Sequence, residues 1–334
     1  MLPTKKDRDA RQKPAEDIAV SASLAMALEA SAYPKPGNVH RLKDFKNTNY
    51  EHFLASAIAS APVFIRAASG GEKLGNLLEE AVQKSERRQS GGNTHFGTFL
   101  LLLPLSMAAG IENDAKIKKD AGGNQDFNKT KQIVPIAFEI CKKTDSEDAF
   151  YFYSAFEKLN IPAKTKISGT DMNFDLADPE SKNRILAQKT GLFELMESAA
   201  SRDLIAKEWV SGFEKTKWFA KRLMENHAFF LTHPEKQFKN AINSSIVYTF
   251  LEMMASVSDT FIETKIDSNA ADKIREEARG ILNRFPENEK DLQQLIPFIH
   301  SFDDKLHEKR ANPGSLADIA AAGIFLALMD GLVF

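Results

Sequence analysis

The chain has 334 residues, of which 43% are hydrophobic and 27% charged, with a formal net charge of −2. These proportions exclude a disordered chain, and the near-neutral balance excludes non-specific nucleic-acid binding through a strongly basic surface. The single cysteine, Cys141, excludes an internal disulfide, and no Cys/His cluster has metal-ligand spacing, so a reducing, cytoplasmic setting is expected.

Residues 1–16 are polar and charge-rich with no apolar h-region, which excludes a secretory signal; 1–14 are expected to be a flexible tail. Ile18, Ala22, Ala25, Leu28 and Ala32 fall on one face of a helix that delivers Glu29 near its end. Thr48 and Glu51 have capping-box spacing before a helical run from Tyr50 to Ala68. A second helix is predicted from Leu74 to Arg88, ending at Gly91-Gly92. An apolar and therefore central one follows from Thr94 to Ala109. Gly122-Gly123-Asn124 reads as an exposed turn. Thr144 and Glu147 suggest another capping box, before a helix carrying Phe150, Phe152 and Phe156.

Between Ile161 and Pro179 the periodicity fails, which predicts a long irregular loop near 161–180, with a short strand conceivable in 160–168. Asp171 to Asp178 read as a mobile acidic stretch. Helices are then expected over Leu192–Phe230, interrupted near Gly212, and over Phe238–Glu263, Ala270–Phe285 and Asp291–Leu306. The last begins at a cap formed by Ser315 and Asp318 and is short for a membrane span. Asp303-Asp304 and the run Glu214–Lys217 read as solvated faces, and Trp209 and Trp218 as packing residues. The length prior is about two domains, but no linker divides the chain. The expectation is all-α, one multi-helix bundle over 15–334, with no nucleic-acid or membrane partner and room for a homo-oligomer.

Three polar turns abut these helices. In Tyr33-Pro34-Lys35-Pro36-Gly37-Asn38-Val39-His40-Arg41, two prolines and a glycine make a rigid turn from which Lys35, His40 and Arg41 are expected to project toward phosphate. In Gly91-Gly92-Asn93-Thr94-His95, glycines allow backbone amides to approach an anion at a helix start. The third, Asn312-Pro313-Gly314-Ser315-Leu316-Ala317-Asp318, opens the final helix. The bland alternatives are a glycine break capped by Asn93 or Thr94, a solvated Lys35/Arg41 pair, and Asp318 as a first-turn carboxylate.

Together these segments resemble the triphosphoribosyl-dephospho-CoA synthase family. Its pattern runs Glu-x-x-x-x-Pro-Lys-Pro-Gly-x-Val-Asp-Arg, Gly-x-Asn-Thr-His-Lys-Gly, Asp-Thr-Asn and Pro-Gly-Gly-Ser-Ala-Asp. Glu29 precedes Pro34 by five residues; Gly92, Asn93, Thr94, His95 and Gly97 match the second element, Asp259-Thr260 the third, and Pro313, Gly314, Ala317 and Asp318 the fourth. His40, Phe96 and Phe261 replace the usual Asp, Lys and Asn.

The resemblance implies transfer of the 5-triphosphoribosyl group of ATP to the 2′-hydroxyl of 3′-dephospho-CoA, with release of adenine and Mg²⁺ on the triphosphate. It implies catalytic roles for Glu29, Asp318 and His95, substrate or phosphate contacts from Lys35, Arg41, Gly92, Asn93, Thr94 and Gly314, and metal binding by Asp259, Asp318 and Glu29. The three departures leave room for another cofactor-precursor acceptor. Two rival readings remain: a hydrolase that cleaves the nucleotide N-glycosidic bond with water, and a catalytically silent nucleotide-binding protein. A plain helical scaffold is a third, against which the polar residues of the turns argue.

Overall fold

In a computed structural model, residues 5–118, 129–159, 178, 180–265 and 268–334 are described. The expected loop near 161–180, apart from Asp178 and Glu180, lies outside them, as do the 122–124 turn and the 160–168 strand. In chain order the helices are α1 (Lys5–Ser31), α2 (Tyr50–Ser69), α3 (Leu74–Glu86), α4 (Phe96–Lys118), α5 (Thr130–Lys142), α6 (Ser146–Lys158), α7 (Ser181–Gln188) and α8 (Leu192–Ala199). There follow α9 (Leu204–Val210), α10 (Glu214–Thr232), α11 (Ala241–Ser256), α12 (Thr260–Lys265), α13 (Ser268–Leu282), α14 (Leu292–Glu308) and α15 (Gly314–Met329). Among the described residues the extended pairing is confined to isolated bridges at His40–Lys43 and Phe45–Thr48. The protein is all-α.

Helix α1 enters the stretch expected as a tail, because Lys5–Glu16 is built mostly of good helix formers; polarity there signals no face to bury. The caps of two helices lie one residue later than their spacing suggested. Asn49, with His52, closes the box on α2, and Asp145, with Asp148, does so on α6. The hydroxyls of Thr48 and Thr144 instead donate to Gly91 O and Cys141 O. The N-cap residue of α15, Pro313, has no side-chain cap to give.

Helix α15 is apolar on every side and correspondingly buried all round, packed by α1, α4, α10 and α11. Its small residues allow close approach: a Cβ on Gly323 would stand 2.6 Å from the Phe219 ring. Helix α4 is the other central rod. By length and composition α2 and α4 could each cross a membrane, but 78% of the apolar window of α4 is buried inside the protein. One hydrophobic cluster runs from Ile18 on α1 to Leu332 beyond α15, so the N-terminal turns of α4 and α15 sit on a common scaffold.

Candidate active site

The loop between α1 and α2 is clamped from three sides. The Tyr33 amide donates to Asn243 Oδ1 at 3.0 Å and Asn243 Nδ2 returns a bond to Tyr33 O at 2.7 Å, so α11 brackets the turn. The Tyr33–Pro34 bond is cis. Gly37 has a left-handed backbone (φ +78°) and an added Cβ would lie 2.6 Å from Ala311 O, so only glycine fits. Its amide donates to Asp303 Oδ1 at 2.8 Å, and Asn38 Nδ2 reaches Asn312 Oδ1 at 2.7 Å, joining the first and last polar turns.

Clamped in this way, Lys35 turns inward rather than projecting into solvent. It is 1% exposed, donates to Glu29 O at 2.8 Å and forms an ion pair with the Glu29 carboxylate. Burial pushes the Glu29 carboxyl up and the Lys35 ammonium down, and each opposes the other's shift through its charge. Asp318 stands close enough to act on both.

The Asp318 carboxylate is seated on the first turn of α4, accepting the Thr98 hydroxyl at 2.5 Å. A Cβ on Gly97 would be 2.2 Å from Asp318 Oδ2, so this glycine is what admits the carboxylate. The start of α4 thus also receives the Asp318 side chain. Burial pushes the Asp318 carboxyl up to about 8; the charges of Glu29 and Asp259 add to the shift and Thr98 opposes it.

Asp259 accepts the Leu316 amide of α15 at 2.9 Å on one oxygen and the Ile262 amide of α12 at 3.2 Å on the other. It anchors the helix that carries Asp318. His95 is 2% exposed, and burial, with the Lys35 charge, pushes its imidazole down to about 3. It is a neutral ring at any ordinary pH.

The residues expected to touch phosphate are less concentrated. Gly92 has φ +74° with open space where a Cβ would be, and Asn93 is exposed and accepts the Phe96 amide at 3.0 Å, which makes it a cap of α4. Thr94 Oγ1, His95 Nε2 and Asn38 Oδ1 are buried without a hydrogen-bond partner, so the polar turns end in unused polar atoms. Gly314 begins α15, its amide donating to Asn312 O at 2.9 Å. Arg41 alone is an exposed cation, its Nε donating to Ser31 O at 2.5 Å.

Sequence reasoning missed several members. Thr98 follows the matched Gly97 directly and was legible only once Asp318 was known to face it. Asp303, read as solvated, is buried and accepts from Gly37 N, His40 Nε2 (3.3 Å), Lys43 Nζ (3.0 Å) and His307 Nδ1 (3.0 Å). Burial works against its charge, but those hydrogen bonds outweigh it and hold the carboxyl well below the usual range. The departure at His40 is thereby explained as a partner for Asp303, not a phosphate or metal ligand. Phe96 packs on Phe152 and Phe156 of α6 at 5.5 and 5.9 Å between ring centroids. The side chain of Phe261 lies outside the described residues.

Among the described residues no three His, Cys, Asp or Glu side chains gather to hold a metal ion. Glu29, Asp259 and Asp318 are hard oxygen donors, of which Mg²⁺ commonly takes one or two from protein when phosphates supply the rest. The donor set therefore fits an ion that arrives on a triphosphate.

A helical bundle that draws four separated polar elements onto one buried acid–lysine centre defines an all-α transferase of the nucleotide-using kind. The chain belongs to the ATP:dephospho-CoA triphosphoribosyl transferase family, whose sequence model matches residues 15–333. Among solved structures it is similar to that of a proposed triphosphoribosyl-dephospho-CoA synthase from Archaeoglobus fulgidus. The two are 28% identical with a TM-score of 0.58, over 83% of this chain and 99% of that one. No curated protein matches the chain. The activity of the family, and so the enzyme class of this chain, is pentosyl transfer from ATP to dephospho-CoA.

Proposed function

We propose that Asp318 is the general base for attack of the 2′-hydroxyl of 3′-dephospho-CoA on C1′ of the ATP ribose. The observation that carries this is the seating of its carboxylate on the α4 N-terminus beside Glu29, with a proton affinity near 8. A base is most effective when its pKa lies near the working pH. The C1′–N9 bond breaks, adenine leaves with its electron pair and takes up a proton from water, the acceptor oxygen bonds to C1′, and the hydroxyl proton passes to Asp318, which returns it to solvent. The triphosphate stays on the transferred ribose.

Lys35 is the buried cation nearest this centre, and Glu29 orients it. Arg41 and the turn at Gly92, Asn93 and Thr94 provide outer contacts for the triphosphate, and Gly314 lets the α15 start approach it. Mg²⁺ held by Glu29 and Asp259 together with the phosphates would neutralise triphosphate charge and leave Asp318 free to act as the base. ATP and the acceptor are cytosolic metabolites, which supports a cytoplasmic setting.

The test is adenine release from ATP and Mg²⁺, with and without 3′-dephospho-CoA, with products identified by mass. Adenine only with the acceptor, alongside the triphosphoribosyl adduct, is the expected result. Adenine without the acceptor would identify a hydrolase, and none in either tube would remove the assignment. Asp318→Asn should abolish the acceptor-dependent product.

A further inference from the structure

Behind His95 lies a pair of buried serines that the reaction does not otherwise use. Ser56 on α2 and Ser85 on α3 are 0% and 3% exposed. Ser85 Oγ donates to Ser56 Oγ at 2.8 Å, and Ser56 Oγ lies 2.9 Å from His95 Nδ1. A hydroxyl has one proton to give. Among the hydrogen bonds of Ser56, His95 Nδ1 is the acceptor available to the Ser56 proton once Ser85 donates to its oxygen, and a donation there makes Nδ1 the unprotonated nitrogen. The ring N–H is left on Nε2.

That Nε2 atom is buried and has no partner. Such a donor is costly to leave unsatisfied, and its presence on the turn that also receives Asp318 points to an acceptor that arrives with substrate. The rings of Phe53 and Phe99, at 5.1 and 6.1 Å, fix the imidazole plane, and the nearby Lys35 charge opposes a second proton on it.

We infer that Ser56 and Ser85 are positioning residues that lock His95 in its Nε2–H tautomer, so that His95 is a fixed hydrogen-bond donor to an acceptor atom of bound ATP and not a proton-carrying acid. The catalytic half of this rests on the reaction proposed above; the tautomer does not.

The test has two readouts on the full chain. Long-range ¹H–¹⁵N spectra of ¹⁵N-histidine-labelled protein without nucleotide, with His95→Gln used to assign the signals, report the tautomer. Wild type should show His95 as Nε2–H alone, Ser56→Ala a mixture, and Ser56→Thr, which keeps the hydroxyl, the wild-type pattern. In the adenine-release assay Ser56→Ala should lower kcat about tenfold with KM little changed, and Ser56→Thr should restore it. An Nδ1–H signal in wild type overturns the inference. So does a Ser56→Ala protein with an unaltered tautomer or an unaltered kcat. If the tautomer responds as expected but no variant, wild type included, releases adenine, the serine relay stands and the reaction assignment falls.

Discussion

Gly97 and Asp318 are in contact by omission: a Cβ on the glycine would overlap the carboxylate, at 2.2 Å from Oδ2. The missing side chain is thus part of the site, and it couples the start of α4 to the N-terminal half of α15. Gly97→Ala should push Asp318 off Thr98 and lower kcat about 100-fold, since a displacement near 1 Å costs that much in a positioned group. The destabilisation should be only about 1–3 kcal/mol. Activity assays beside thermal melts check this; a folded variant within a few-fold of wild-type activity would refute it.

Asp318 makes opposite predictions for activity and stability. As a base it works ionised, so kcat/KM should climb with pH through the region of about 8 and level above it. Its folded pKa is above the unfolded value of about 3.9. The folded state therefore holds the proton more tightly, and stability should fall as pH rises from about 4 to about 8. Asp318→Asn should lose both trends. Tm measured across that range, as the difference between the two proteins, reads the second without any substrate.

The Lys35–Glu29 pair is buried, with exposures of 1% and 3%, so removing one partner strands the other's charge. Lys35→Met or Glu29→Gln alone should cost about 3–5 kcal/mol. The double variant should cost clearly less than the sum, because no charge is then left unpaired. Urea denaturation of the four proteins closes the cycle; additive losses would show that the two side chains do not interact as the structure has them.

Asp303 holds the Pro-Lys-Pro-Gly turn in place through Gly37, His40 and Lys43. Its carboxyl is depressed in the folded state, so the stability it provides is present above about pH 4 and is lost as pH falls below the unfolded value. Asp303→Ala should destabilise by about 3–5 kcal/mol at neutral pH. Asp303→Asn should flatten the fall in Tm between about pH 4 and 2. An acid limb unchanged in Asp303→Asn would place the acid sensitivity elsewhere.

The chain by itself determined the helical class, most of the helices though not α5 and α7, and the four polar segments. Helical periodicity and glycine or proline breaks are local properties that each segment carries alone. It also named Glu29, His95 and Asp318, since those stand inside contiguous patterns. Only the tertiary structure decided what each one faces. Lys35 looks like a surface cation until Asn243, Asp303 and Asn312 clamp its turn and drive it inward onto Glu29. Thr98 shows no partner in its own segment; Asp318, 220 residues on, supplies one. Asp303 is indistinguishable from its solvated neighbour Asp304 until the loop between α1 and α2 brings Gly37, His40 and Lys43 to it. Burial and charge pairing depend on residues distant in sequence, so no local pattern encodes them, and those two quantities set the pKa values on which the chemistry turns.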